Sequence, residues 1–274
     1  MTIVKLSLSI NDRELSFEMD DREGKDYVVY AALKDGLACY EEPFPTYLAG
    51  LLAELKGTFL DVGANTGLYA LLAAATHPSI TIEAFEPVDH IADSFLRNME
   101  INASFKQRFK LHRFALTDFT GEALFHETSN PHFMTTTSGL NAEFSKAHGE
   151  TRHYLVPALT LDAFISDNQI EDLSFIKIDV EGHEKEVLRG SEAAVLTRRP
   201  FIGVELLWDA DYDFIEKFLL SNDYIDAILQ PGSLRFTRFP EYIRDGWNHI
   251  LVPEEHRGLA EQVAHACKLK ILVN

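Results

Sequence analysis

The 274-residue chain is predicted to fold as a doubly wound α/β structure on a mostly parallel sheet. Three observations predict it. From residue 57 onward, short apolar strand runs alternate with helical runs; a turn holding two glycines separates the first of those strands from its helix; and an acid ends the second strand. Strands joined through helices run parallel and are covered on both faces.

The elements follow in order. Val4, Leu6, Leu8 and Ile10 alternate with polar residues, and Leu15, Phe17 and Met19 alternate again after Asn11-Asp12, which predicts a hairpin. Tyr47, Leu48, Leu51, Leu52 and Leu55 recur at helical spacing between Pro43 and Leu55, and Gly57 stops that helix. A strand at 58–62, a helix at 66–76, a strand at 80–85 and a helix at 91–103 give βαβα, and a third strand is expected at 109–115. Later strands are expected at 175–178, 201–205 and 224–229. Runs 234–239 and 247–252 suggest a terminal antiparallel pair before a helix over 253–270. The division expected is a hairpin and helix extension, 1–56, and a main domain, 57–274. An excursion at 122–159 precedes the fourth core strand. It contains Thr135-Thr-Thr-Ser-Gly139 and His126, His132, His148 and His153, and it is too long for a plain connection. Such segments cover sites or stand idle, and the sequence leaves both readings open.

Composition narrows the function. With 46% hydrophobic and 25% charged residues, the chain has the make-up of a globular protein. Acidic residues outnumber basic ones 43 to 25, a formal charge of −18 that repels phosphate backbones and anionic headgroups, so no nucleic-acid partner is expected. Cys39 and Cys267 form neither a disulfide framework nor a thiolate zinc site, and the excursion's histidines lack zinc-ligand spacing. Lys5 interrupts the N-terminal apolar run and no cleavage site follows, so no signal peptide is expected; no apolar stretch reaches the roughly 18 residues of a membrane helix. The location expected is cytoplasmic, without membrane insertion.

In Asp61-Val-Gly-Ala-Asn-Thr-Gly67, the turn between strand and helix allows close backbone approach, and the helix that follows begins with free N–H groups. Glu86, in Phe85-Glu-Pro87, falls about 20 residues beyond the glycine turn, where acids bind ribose hydroxyls. The dinucleotide pattern G-x-G-x-x-G is absent. A cofactor with ribose and no pyrophosphate fits better, and S-adenosylmethionine is such a molecule. A valine at Gly63 is expected to block it while leaving the fold largely intact.

The chain then runs Phe175-Ile-Lys-Ile-Asp-Val-Glu-Gly-His-Glu-Lys-Glu-Val-Leu-Arg-Gly190. Together with the glycine turn, Phe85-Glu-Pro87, Ala115-Leu-Thr-Asp118, Thr160-Leu-Asp162 and Val204-Glu205, this segment resembles the FkbM-type methyltransferase family over about residues 41–253. The resemblance implies a Rossmann-like class I methyltransferase sheet of seven strands, S-adenosylmethionine as donor with S-adenosylhomocysteine as product, and O-methylation of a hydroxyl on a sugar, glycolipid or secondary metabolite. It assigns Asp61, Gly63, Asn65 and Gly67, with Ala64 and Thr66 in the same loop, to the methionine end of the cofactor. Glu86, followed by Pro87, is assigned to the ribose, and Ala115, Leu116 and Asp118 to the adenine. The turn at 179–184 would border the transfer site, with Asp179 addressing both cofactor and acceptor.

A hydroxyl acceptor needs a general base. Asp179, Glu181, His183 and Glu205 are the candidates, whereas Asp162 is read as structural. Asp179, Glu181 and Glu205 also offer hard oxygen ligands suited to magnesium, but the metal-free reading is preferred. Two other functions remain open at this stage: a nicotinamide-dependent oxidoreductase, and a binding protein for S-adenosylmethionine without chemistry. The partner expected is a small-molecule or glycan acceptor; oligomeric state is not legible.

Overall fold

The computed structural model describes residues 2–130, 132–133 and 137–272, so Thr135 and Thr136 of the threonine run lie outside the described residues. Strands β1 (Ile3–Ile10) and β2 (Arg13–Asp20) form the expected hairpin, with Asn11 and Asp12 at positive φ in its turn. Helix α1 (Tyr27–Asp35) was not expected. Asp26 caps it by accepting from the Val29 N–H, and Gly36 ends it. Helix α2 (Phe44–Glu54) then leads into the core.

The central unit runs β3 (Gly57–Val62), α3 (Leu68–Thr76), β4 (Ile80–Phe85), α4 (Asp89–Ile101), β5 (Phe109–His112) and β6 (Ala115–Leu116). The expected third strand is thus two strands in different sheets. Next come β7 (Gly121–Thr128), α5 (Ala142–His148), β8 (Thr151–Leu159), α6 (Leu161–Asp167), β9 (Leu173–Ile178), α7 (Glu184–Arg189), α8 (Glu192–Arg198), β10 (Phe201–Glu205), α9 (Tyr212–Asn222), β11 (Tyr224–Gln230), β12 (Ser233–Thr237), β13 (Asn248–Pro253), α10 (Arg257–Ala266) and β14 (Lys270–Leu272).

Among the described residues the main sheet has nine strands, ordered β14-β12-β11-β13-β10-β9-β3-β4-β5. The seven from β5 to β11 form the predicted core, parallel except for β13, and β12 and β14 extend it by two. The predicted terminal pair does not form. β13 inserts between β10 and β11, antiparallel to both, while β12 pairs with β11 and β14. The reason is burial: every residue of β13 is buried, as suits a central strand, whereas β12 alternates in exposure. The terminal helix is also shorter than predicted, because the chain leaves it at Cys267 and adds β14.

Two apolar clusters cover the two faces. One joins the hairpin, α1, α2, α3 and α10 to the sheet, and the other joins α6 to α9. The hairpin is tied down by side chains that imitate a neighbouring strand: Asn98 of α4 accepts from the Asp20 N–H at 2.9 Å, and Asn102 accepts from the Glu18 N–H at 3.0 Å while donating to the Glu18 carbonyl. Asn98 also donates to the Thr66 carbonyl at 2.8 Å, linking hairpin and glycine turn through one buried amide. Asn98→Ala is expected to cost about 2 kcal/mol, since it leaves buried backbone groups unpaired. Thermal unfolding should show the midpoint fall by about 4–8 °C; an unchanged midpoint would count against this linkage.

The excursion is built structure. β7 and β8 pair antiparallel, β6 joins β8 in parallel, and the three strands form a second sheet. Asp162 is structural, as read: its carboxylate accepts from the Ala193 and Ala194 N–H groups at the start of α8.

Candidate active site

The glycine turn is locked between two strand ends. The N–H groups of Gly63 and Ala64 donate to the Phe85 carbonyl at 3.2 and 3.0 Å, and the Asp179 N–H donates to the Val62 carbonyl at 3.1 Å. Gly63, Asn65 and Gly67 all have positive φ. A Cβ on Gly63 would stand 1.8 Å from the Asp179 carbonyl oxygen, and one on Gly67 would press on Phe95. Glycine at 63 is therefore demanded by β9 before any ligand arrives. The expectation that valine there would spare the fold is corrected by that contact.

Above the turn lies a cavity of about 590 Å³. Gly63, Ala64, Asn65, Thr66, Glu86, Pro87, Ala115 and Leu116 line it, and so do Asp179, Glu181, His183 and Glu205. Asp61, Gly67 and Asp118 do not. Asp61 lies beneath the cavity, wholly buried; Gly67 caps α3; and Asp118 turns outward to within 4.0 Å of Arg189.

Glu86 accepts from the N–H groups of Asn65 at 3.1 Å and Val88 at 2.9 Å, and burial pushes its carboxyl up to about 7. Phe85, Phe114, Ala115 and Leu116 form an apolar wall beside it.

The opposite end is acidic. Lys177, 4% exposed on β9, donates to Asp179 at 3.0 Å, stands 3.7 Å from Asp61 and lies 5.0 Å from the centre of the Tyr69 ring. Burial alone would depress its ammonium, but Asp179 and Asp61 hold it above the ordinary lysine range. The Tyr69 hydroxyl donates to Glu41, whose carboxyl is raised by burial and by Asp179. The carboxyl groups of Glu181 and Glu205 have no hydrogen-bond or ion-pair partner among the described residues, and burial and then Asp179 push both well above the usual carboxylate range. Lys177, Tyr69 and Glu41 were missed in the sequence. Lys177 was legible as a charge inside an apolar strand, but Glu41 is brought in by the fold from far along the chain.

His183 has both ring nitrogens engaged, Nε2 with Thr117 Oγ1 at 2.9 Å and Nδ1 with Glu186 at 3.4 Å, and burial lowers its pKa. Glu184 accepts from the N–H groups of Val180 and Gly182, shaping the turn from within. The excursion closes the cavity from outside. Asn141 caps α5 and donates to the Gly182 carbonyl at 3.0 Å, Gly139 packs on Val180 and Glu181, and Phe133 meets Tyr27 and Tyr30 of α1, each at 5.5 Å. Of the two readings left open, it is the one that covers the site.

Among the described residues no group of three or more His, Cys, Asp or Glu side chains is placed to hold a metal ion, and no helix is long and apolar enough to cross a membrane.

Methyltransferase 1 of Beauveria bassiana is 30% identical over 164 residues, covering 56% of this chain and 62% of that protein. The antimetabolite synthetase AmbE of Pseudomonas aeruginosa is 28% identical over 183 residues, covering 54% of this chain and 8% of the synthetase. The chain thus spans about three-fifths of the first relative and a small part of the second. The solved FkbM methyltransferase of Methylobacillus flagellatus KT aligns over 82% of this chain and 53% of its own, at 18% identity and a TM-score of 0.47. The methyltransferase FkbM domain itself matches residues 61–225, from the glycine turn to β11, and the chain belongs to that family.

Proposed function

We propose that the chain is an S-adenosylmethionine-dependent methyltransferase that methylates a hydroxyl of a small molecule or glycan. The observation that carries this is one cavity with a glycine turn and a ribose-type acid at one end and a carboxylate cluster around Lys177 at the other. The residues fit the cofactor. The glycine turn lines the cavity with Gly63, Ala64 and Asn65, Glu86 is positioned for ribose hydroxyls, and Asp61 carries two buried oxygens without hydrogen bonds, a charge reserve below the place for an ammonium. Phe85, Pro87, Ala115 and Leu116 supply the flat apolar surface an adenine needs. When bound, S-adenosylmethionine supplies an electrophilic methyl group.

The chain's own work is positioning and proton transfer. Lys177 fixes Asp179, and the Tyr69–Glu41 pair buttresses Lys177. Glu181 and Glu205 line the cavity with no hydrogen-bond donor to their carboxyl groups among the described residues, and are the side chains read as receiving the hydroxyl proton. His183, with both nitrogens occupied, is read as a positioning residue that ties the segment after β6 to α7.

Calorimetric titration with S-adenosylmethionine and with NAD tests the cofactor, and release of S-adenosylhomocysteine with an acceptor tests the chemistry. Binding of NAD alone would overturn the reading. A pH dependence also follows. Ribose hydroxyls donate best to an ionised carboxylate, so affinity for S-adenosylmethionine is expected to rise between pH 6 and 8 as Glu86 ionises near 7. The folded-state pKa lies above the ordinary 4.5, so the Glu86 contribution to apo stability runs the other way, present at low pH and lost as pH rises through about 7. Calorimetry on Glu86→Gln should give weaker binding and a flatter pH profile; a profile as steep as that of the unaltered protein would remove Glu86 from this role.

A further inference from the structure

The cavity's charge does not balance. Four carboxyl groups, Glu41, Asp179, Glu181 and Glu205, face its acceptor end, and among the described residues the one buried cation there, Lys177, is already engaged with Asp61 and Asp179. Lys34, at the rim on α1, is exposed beside Asp35. Among the described residues the Glu181 and Glu205 carboxyl groups form no direct ion pair and accept no hydrogen bond, Lys177 reaching Glu181 only at longer range, and both line the half-buried wall of the cavity. In such a place an unpaired carboxyl group either holds a proton or takes a cationic partner, and a cationic ligand stabilises its charged form. The same wall already shows how it accommodates an ammonium: Lys177 sits against carboxylates with its charge toward the Tyr69 ring. Tyr40 and Trp247 add further aromatic surface of the kind that takes up cations.

We propose that the methyl acceptor is a hydroxylated amine whose ammonium group is bound between Glu181 and Glu205. This rests on the methyltransferase reading and narrows its substrate class. One carboxylate pairs with the ammonium, which leaves the other to take the hydroxyl proton, so that charge and proton are both accounted for by residues present. Neutral sugars offer these carboxyl groups hydroxyl donors but no balancing charge, and anionic acceptors are repelled.

The test uses the protein saturated with S-adenosylhomocysteine. Ethanolamine, serinol and glucosamine are titrated beside their N-acetylated counterparts, with binding followed by ligand-observed NMR. At least one amine should bind about tenfold or more tightly than its acetylated twin. Glu181→Gln combined with Glu205→Gln should remove that preference while affinity for S-adenosylhomocysteine is kept, which also reports that the variant is folded; Glu205→Gln alone serves if the double variant does not fold. No amine favoured over its twin, or a preference unchanged by the substitutions, overturns the proposal. Failure to bind S-adenosylhomocysteine at all would instead sink the methyltransferase reading.

Discussion

Gly63→Ala is expected to weaken S-adenosylmethionine binding by about a hundredfold or more and to lower the unfolding midpoint by about 6–12 °C, from a cost of about 3 kcal/mol. Two terms add. Alanine at a φ of +77° costs about 1–2 kcal/mol in backbone conformation alone. The new Cβ also meets the Asp179 carbonyl oxygen at 1.8 Å and its carbon at 2.9 Å, and no rotamer relieves a clash with backbone. Relief requires β3 and β9 to part at their carboxyl ends, where the Asp179 N–H bonds the Val62 carbonyl. The same displacement moves the turn that would hold the cofactor and the acid that would face the acceptor, so affinity should fall by about a hundredfold or more. Calorimetric binding and differential scanning calorimetry on one sample check both effects. A variant with unaltered affinity and midpoint would mean that the turn is looser than its hydrogen bonds imply.

The parts of this fold that local pattern specifies were legible in sequence. Alternation gave the hairpin; continuous apolar runs gave β3, β4, β9 and β10; and the turn at 61–67 with Glu86 marked the cavity. What was missed depends on partners distant in the chain. β13 follows β12 but lies two strands away, because the connection between them is too long for a hairpin and only complete burial of β13 shows that it is central. Helix α1 is short and contains two valines, so its apolar spacing is weak, and its caps Asp26 and Gly36 are evident only once the helix is seen. At the site, Glu41 and Tyr69 are far apart in sequence, and nothing in either neighbourhood announces that they meet. His183 illustrates the opposite limit: its residue type suggested a base, whereas its neighbours Thr117 and Glu186 commit both nitrogens.

Lys177→Met is expected to destabilise the protein by about 3–5 kcal/mol and to reduce turnover by about a hundredfold or more. Asp61 is fully buried and neither of its oxygens accepts a hydrogen bond, so the ammonium 3.7 Å away is its main compensation. Burial raises the Asp61 carboxyl and Lys177 opposes that rise. Methionine fills much of the same volume, so the loss would be one of charge and not of packing. Without the ammonium, Asp61, Asp179 and Glu41 face one another uncompensated, and Asp179 loses the partner that holds it toward the cavity. The two consequences separate in a double variant. Asp61→Asn removes the buried charge that Lys177 balances, so adding it to Lys177→Met should restore most of the lost stability in a denaturant titration. It should not restore turnover, because Asp179 would still lack its anchor. Lys177→Arg keeps the charge but not the shape of the contact, and should fall between the unaltered protein and Lys177→Met in activity. If the double variant recovered turnover along with stability, Lys177 would be a structural counter-ion alone, and the positioning of Asp179 would have to come from elsewhere in the turn.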